Sequence, residues 1–128
     1  MAQAEIHEVL PVEKDKFFEA VVRYEDYPKF VEGCSTVKVE RKGPGKARVS
    51  YVASVMGKDV DYVLDHVEDA AAGVVTWTLV ESSIFKKNVG RWEIKAAGDG
   101  KADVRYTLEL DFKIPVPGFI LNRLVKGS

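Results

Sequence analysis

The chain has 128 residues, of which 30% are charged, and a formal net charge of -1. That is the size of one domain with a substantial core, and the balanced charge supplies no global field for DNA, RNA or an anionic membrane. The lone Cys34 excludes an internal disulfide and a multi-cysteine metal site, while MAQAEIHEVLPVEKDK lacks a signal-peptide pattern and no apolar run nears a membrane span of ~20 residues, so a soluble, cytoplasmic protein is expected.

In chain order, AEIHEVL reads as a first strand. From Val12 to Tyr24 the period changes: Phe17, Phe18, Val21 and Val22 recur at helical spacing, behind a charged lead of Glu13, Lys14, Asp15 and Lys16. Pro28 disfavours helical geometry at Tyr27, so a second short helix is expected to start near Pro28 and to end at Gly33. Six strands follow: STVKVERK, ARVSYVASVM, KDVDYVLDHV, GVVTWTLVES, NVGRWEIKA and ADVRYTLELDF. The turn segments GPG, MGK, DAAAG and GDG separate them. PVPG breaks the sheet, and FILNRLVKGS opens a terminal helix. No repeat, low-complexity tract or linker interrupts residues 1–128, so one domain is predicted.

Two hairpins can be put in register. With Gly57 and Lys58 as a two-residue turn, Val55 faces Val60, Ala53 faces Tyr62, Tyr51 faces Leu64 and Val49 faces His66. Ser54 then meets Asp61, and Ser50 meets Asp65, on the polar side. With GDG as a three-residue turn, Ile94 faces Val104, Trp92 faces Tyr106 and Gly90 faces Leu108. Lys95 then meets Asp103 and Glu93 meets Arg105, opposite-charge pairs that favour this register. A one-residue slip would scramble both patterns.

The sheet therefore has a solvated face and a face rich in large side chains. The second face carries Tyr51, Tyr62, His66, Trp77, Trp92 and Tyr106 among aliphatics. A sheet of about seven ten-residue strands must curl to cover so few helices, and aromatic walls with a few polar tips commonly line ligand pockets. Periodicity alone favours a filled core and leaves open whether a hollow lies within.

Several segments carry a family resemblance. YEDYPKFVEGCSTVKVE, the GRW of the sixth strand, ADVRYTLELDFKIPVPG and FILNRLV resemble, in order, the START-like superfamily, also called SRPBCC, helix-grip or Bet v 1-like. The likeness is strongest to its polyketide cyclase/dehydrase and coenzyme Q-binding branch, which includes ribosome-association toxins. The resemblance implies an α+β helix-grip fold. In it, a curved seven-stranded antiparallel sheet carries two short helices after strand one and grips a C-terminal helix, with a hydrophobic ligand between sheet and helix. It implies that Tyr24, Tyr27, Pro28, Phe30 and Val31 form an apolar corner bent by Pro28 and Gly33, with Tyr27 or Phe30 as rim candidates. Gly118 to Ser128 would make a helix of about 16 Å, short for the roughly 30 Å it should cross. A short lid would expose an apolar groove and invite a partner or self-association.

The expected ligand wall comprises Tyr51, Ala53, Val55, Tyr62, Leu64, His66, Trp77, Leu79, Trp92, Tyr106, Leu108, Leu110 and Phe119. Candidate proton-handling residues are His66, Tyr62 and Tyr106, with Tyr51 beside them. No metal or cofactor is expected. Asp59, Asp61 and Asp65 read as a solvated face, and Cys34 as an unreactive buried thiol. His7 has no clear facing. Ser82 and Ser83 in ESSIF lack nucleophile-elbow glycines. GPGK is too short for a phosphate loop, and Arg41, Lys42, Lys46 and Arg48 read as a solvated hairpin tip that could alternatively touch RNA or acidic lipid. The leading expectation is a binding or carrier domain for a lipid, isoprenoid quinone or polyketide. The alternatives are a polyketide cyclase or dehydratase, and a ribosome- or protein-interaction module.

Overall fold

A computed structural model describes residues 2–55, 57–113 and 115. Its elements are β1 (Ala2–Leu10), α1 (Lys14–Val21), a 3₁₀ helix (Tyr24–Lys29), β2 (Cys34–Gly43), β3 (Lys46–Val55), β4 (Lys58–Asp69), β5 (Val74–Ser82), β6 (Phe85–Ala96) and β7 (Ala102–Phe112). The seven strands form one antiparallel sheet in the order β1-β7-β6-β5-β4-β3-β2. This is the helix-grip α+β fold expected from the sequence. The expected terminal helix, with Phe119, lies outside the described residues.

The β6–β7 hairpin has the expected register: Ile94 opposite Val104, Trp92 opposite Tyr106, Gly90 opposite Leu108, and Lys95 and Glu93 opposite Asp103 and Arg105. Ala97 and Lys101 close the Gly98-Asp99-Gly100 loop.

The β3–β4 hairpin differs from expectation. Its ladder closes at Val55 and Lys58, so Ala53 faces Val60, Tyr51 faces Tyr62, Val49 faces Leu64 and Ala47 faces His66. The tight turn is centred one residue earlier than expected, with Gly57 at φ +81° in its second half, where a positive φ suits glycine. Moving the centre by one residue shifts every partner by two, which preserves the faces. The inward set survived an incorrect register.

The bounds of the second helix and of β6 also differ from expectation. The second helix starts at Tyr24, not near Pro28, and it is a 3₁₀ turn in which Pro28 is the penultimate residue. Its short length tolerates a proline that lacks an N–H. Gly33 (φ +85°) then redirects the chain, and its carbonyl accepts from Ser54 N–H at 2.7 Å. The strand β6 begins at Phe85, earlier than the expected Asn88.

Phe18 and Val21 of α1 bury against Val75, Ile94, Ala102 and Val104, which closes one end of the sheet. The rest of the inner face is organised around Tyr24, Tyr51, Leu64, Trp77, Leu108 and Leu110. Trp77 lies directly across Gly90 of the neighbouring strand; a β-carbon there would sit 1.9 Å from the indole. The glycine of GRW thus exists to seat a tryptophan.

Candidate functional site

A cavity of about 900 Å³ lies on the inner face, within the usual range for a small-molecule site. Its wall takes Ile6 and Glu8 from β1, Cys34 from β2, Tyr51 and Ala53 from β3, and Tyr62, Leu64 and His66 from β4. Trp77 comes from β5, Asn88 and Trp92 from β6, and Tyr106, Leu108 and Leu110 from β7. Laid flat, seven strands at ~4.8 Å spacing would place their outermost members far beyond one ligand's reach. One hollow touched by all seven requires a concave sheet.

Of the wall residues expected from the sequence, Tyr51, Ala53, Tyr62, Leu64, His66, Trp77, Trp92, Tyr106, Leu108 and Leu110 do line the cavity. Leu79 packs against the apolar cluster beside it without lining the hollow; a β-bulge at Val80 interrupts the strand next to it. Phe119 and the side chain of Val55 lie outside the described residues. The corner contributes Tyr27, Phe30 and Val31 to the wall; Tyr24 is fully buried, whereas Phe30 remains 66% exposed.

The hairpin registers put Val60 and Val104 on the inner face without naming them to the wall, and sequence reading overlooked Glu8, Phe85 and Asn88. A signal existed for two of them. Asn88 shares the phase of Gly90, Trp92 and Ile94, and Glu8 that of Ile6 and Leu10, but a polar residue at a strand end or on an edge reads as solvent-facing. Phe85 was missed because β6 begins earlier than its turn residues suggest.

The walls are aromatic in a continuous path. Tyr51 stacks on Tyr62 (5.0 Å, 16°), His66 sits 5.8 Å from Trp77, and Trp77 and Trp92 both approach Tyr106, at 5.8 and 4.6 Å. Tyr24 covers His66 at 4.3 Å between ring centres. Two polar pairs interrupt this surface. Tyr51 Oη lies 2.8 Å from His66 Nε2, and the Trp77 indole N–H donates to Asn88 Oδ1 at 3.1 Å.

Burial sets the protonation states. It holds the His66 imidazolium down, to a pKa of about 4 from an ordinary 6.5, because a charged ring would lose its hydration. For the same reason it raises the phenols of Tyr51, Tyr62 and Tyr27, and that of Tyr106 to about 12. Burial also raises the Cys34 thiol. At neutral pH these groups are uncharged donors and acceptors.

The remaining candidates have other duties. His7 is exposed and bound to Asp103 at 2.7 Å. Asp65 takes two hydrogen bonds from Arg48, at 2.8 and 3.0 Å. Among the described residues, no group of three His, Cys, Asp or Glu could hold a metal ion. Ser82 Oγ accepts the N–H groups of Ile84 and Phe85 and donates to Asp61 O, shaping the β5–β6 turn. At the basic hairpin tip Arg41 pairs with Glu68, Lys42 with Glu40 and Arg48 with Asp65.

A sequence profile described as polyketide cyclase / dehydrase and lipid transport matches residues 10–127. The chain belongs to this family. No curated protein sequence matches it significantly. Among solved structures, this family member is similar to the Zhui aromatase/cyclase from Streptomyces sp. R1128, with TM-score 0.81 and 16% identity over 90% of this chain and 70% of that one. It is similar to a protein from Thermus thermophilus, with TM-score 0.82 and 20% identity over 98% and 84%. A START superfamily protein from Mycobacterium smegmatis matches with TM-score 0.81 and 15% identity over 98% and 90%. Likeness at these identities carries the fold. Among the described residues of the family member, no helix is long and apolar enough to cross a membrane.

Proposed function

We propose that this family member binds and carries an apolar small molecule of lipid, isoprenoid quinone or polyketide type. The observation that carries the reading is a cavity of about 900 Å³ whose wall is mainly aromatic and aliphatic and whose buried polar groups stay neutral at physiological pH. A guest hiding roughly 300 Å² of apolar surface there gains about 7 kcal/mol from burial, before the cost of immobilising it. Native mass spectrometry of protein purified from its own source tests this. A co-purifying hydrophobic mass is expected, and bare protein across several preparations would count against it.

A second reading, a polyketide cyclase or dehydratase, is supported by the Tyr51–His66 pair facing the same hollow and by the activity named for the Streptomyces neighbour. It is the weaker of the two. A base with a pKa of about 4 is poorly matched to proton abstraction near pH 7. Substituting His66, Tyr62 and Tyr106 in turn would abolish turnover of a polyketide substrate if this reading holds. The interaction-module reading has little support, since Arg41, Lys42 and Arg48 already have carboxylate partners. Co-sedimentation with ribosomes at low salt would revive it.

A further inference from the structure

Asn88 is 6% exposed and belongs to the cavity wall. It shares the inward phase of Gly90, Trp92 and Ile94 along β6 and stands opposite Leu110 of β7. Phe85, Trp77, Leu108 and Leu110 line the hollow with it. A carboxamide in such apolar company needs partners for both of its arms.

One arm is occupied. The Trp77 indole N–H can only donate, so the atom it meets at 3.1 Å is the amide oxygen. That bond fixes the orientation of the side chain and leaves the NH2 group as its other arm. Among the described residues Trp77 is the one side-chain partner of Asn88, and the NH2 group makes no hydrogen bond. Among the same residues, the only polar side-chain atom that lacks both a partner and accessible surface is Nδ1 of His66. The unpaired NH2 of Asn88 is therefore not sealed off. The inward phase of the residue and its place in the wall direct that open surface into the hollow.

Charge narrows what the donor meets. The wall includes Glu8 and Glu32 and, among the described residues, no lysine or arginine. A guest carboxylate would enter with no counter-charge and with like charge beside it. A neutral oxygen fits.

We propose that Asn88 is the polar anchor of the cavity. Its NH2 group donates to a neutral carbonyl oxygen of the guest, while Trp77 holds the carboxamide in place. The guest is thereby narrowed to uncharged, apolar molecules that bear a carbonyl group. This rests on the cavity being a ligand site, and the test keeps the two claims apart.

Two uncharged naphthalene fluorophores are compared: prodan, which carries a ketone, and its propyl analogue, which lacks the oxygen. Both affinities are measured in the unmodified protein and in Asn88→Leu. The substitution should weaken prodan about fivefold more than the propyl analogue, the worth of one buried hydrogen bond between neutral groups. An equal loss for both would mean that Asn88 acts only by placing Trp77, and would overturn the anchor while the cavity stands. Binding of the propyl analogue alone by the unmodified protein does the same. If neither fluorophore binds the unmodified protein, the cavity reading falls as well. Nitrogen-15 NMR of the unmodified protein needs no variant to fold. Prodan should move one side-chain amide proton of Asn88 downfield, and the propyl analogue should not. Amide protons that respond alike to both fluorophores refute the anchor.

Discussion

The hydroxyl of Tyr51 reaches Nε2 of His66 at 2.8 Å although the two are not cross-strand partners. Tyr51 stands opposite Tyr62, and His66 stands opposite Ala47. The long phenol runs along the inner face toward a position whose direct partner presents only a methyl group. Removing the hydroxyl in Tyr51→Phe leaves His66 with both nitrogens unpaired in a buried setting. A loss of about 1–3 kcal/mol is expected, read as a lower urea midpoint. An unchanged midpoint would show that the bond contributes nothing.

The same burial makes stability pH-dependent. The folded pKa of His66, about 4, lies below its ordinary 6.5, so between these values the unfolded chain binds a proton that the native state refuses. The stability associated with neutral His66 is therefore complete above pH 6.5. It falls as pH drops through that window, by up to about 1.4 kcal/mol per pH unit, and levels off below pH 4. Urea unfolding from pH 7 to pH 4 should show this slope, and His66→Leu should flatten it. An equal slope in both proteins would locate the dependence elsewhere.

The indole of Trp77 lies against the backbone of Gly90 on the neighbouring strand. A β-carbon at Gly90 would meet the indole at 1.9 Å, too close for any relaxed geometry. Gly90→Ala should displace Trp77, break its hydrogen bond to Asn88 and cost roughly 1–3 kcal/mol or more, as overpacking does. Intrinsic fluorescence and the affinity for an uncharged naphthalene fluorophore should change together. Unchanged emission would mean the ring had somewhere else to lie.

The corner that carries Tyr27 and Phe30 is anchored through Glu68, which accepts from Tyr24 Oη at 2.6 Å and pairs with Arg41 at 2.8 Å. Tyr24→Phe removes a charge-assisted bond to a carboxylate only 10% exposed and should cost about 1–3 kcal/mol. Arg41 is half exposed, so solvent screens its pair and Arg41→Ala should cost less, about 1 kcal/mol or under. Denaturant midpoints of the two variants check the order, and the reverse order would place the anchor on the arginine.

Phe30 belongs to the cavity wall yet is 66% exposed. Phe30→Ser should leave stability within about 0.5 kcal/mol, as surface substitutions do. It should weaken binding of an uncharged naphthalene fluorophore, because guest surface near the rim loses its apolar cover. A variant that binds as before would remove Phe30 from the site.

Much of this was legible along the chain because a strand sorts its side chains by parity. The β6–β7 register could be read in full, since two opposite-charge pairs and three apolar pairs agreed on it. In β3–β4 the turn centre was misplaced, yet Tyr51, Tyr62, Leu64 and His66 still fell on the inner face, because the error moved partners by an even number of residues. Glu8 and Asn88 escaped notice because their polarity argued against a facing that their phase required. In YEDYPK the 3₁₀ turn has Tyr24 tied to Glu68 of β4 and Tyr27 tied to the Val21 carbonyl of α1, constraints local spacing does not contain.

The sequence by itself determined which residues share a face, since alternation is a local property of extended backbone. Only the tertiary structure decided that this face is hollow and that Tyr51 meets His66 within it. Sheet curvature and the reach of a side chain along a face arise from the joint geometry of seven strands, and pairwise periodicity carries no record of either.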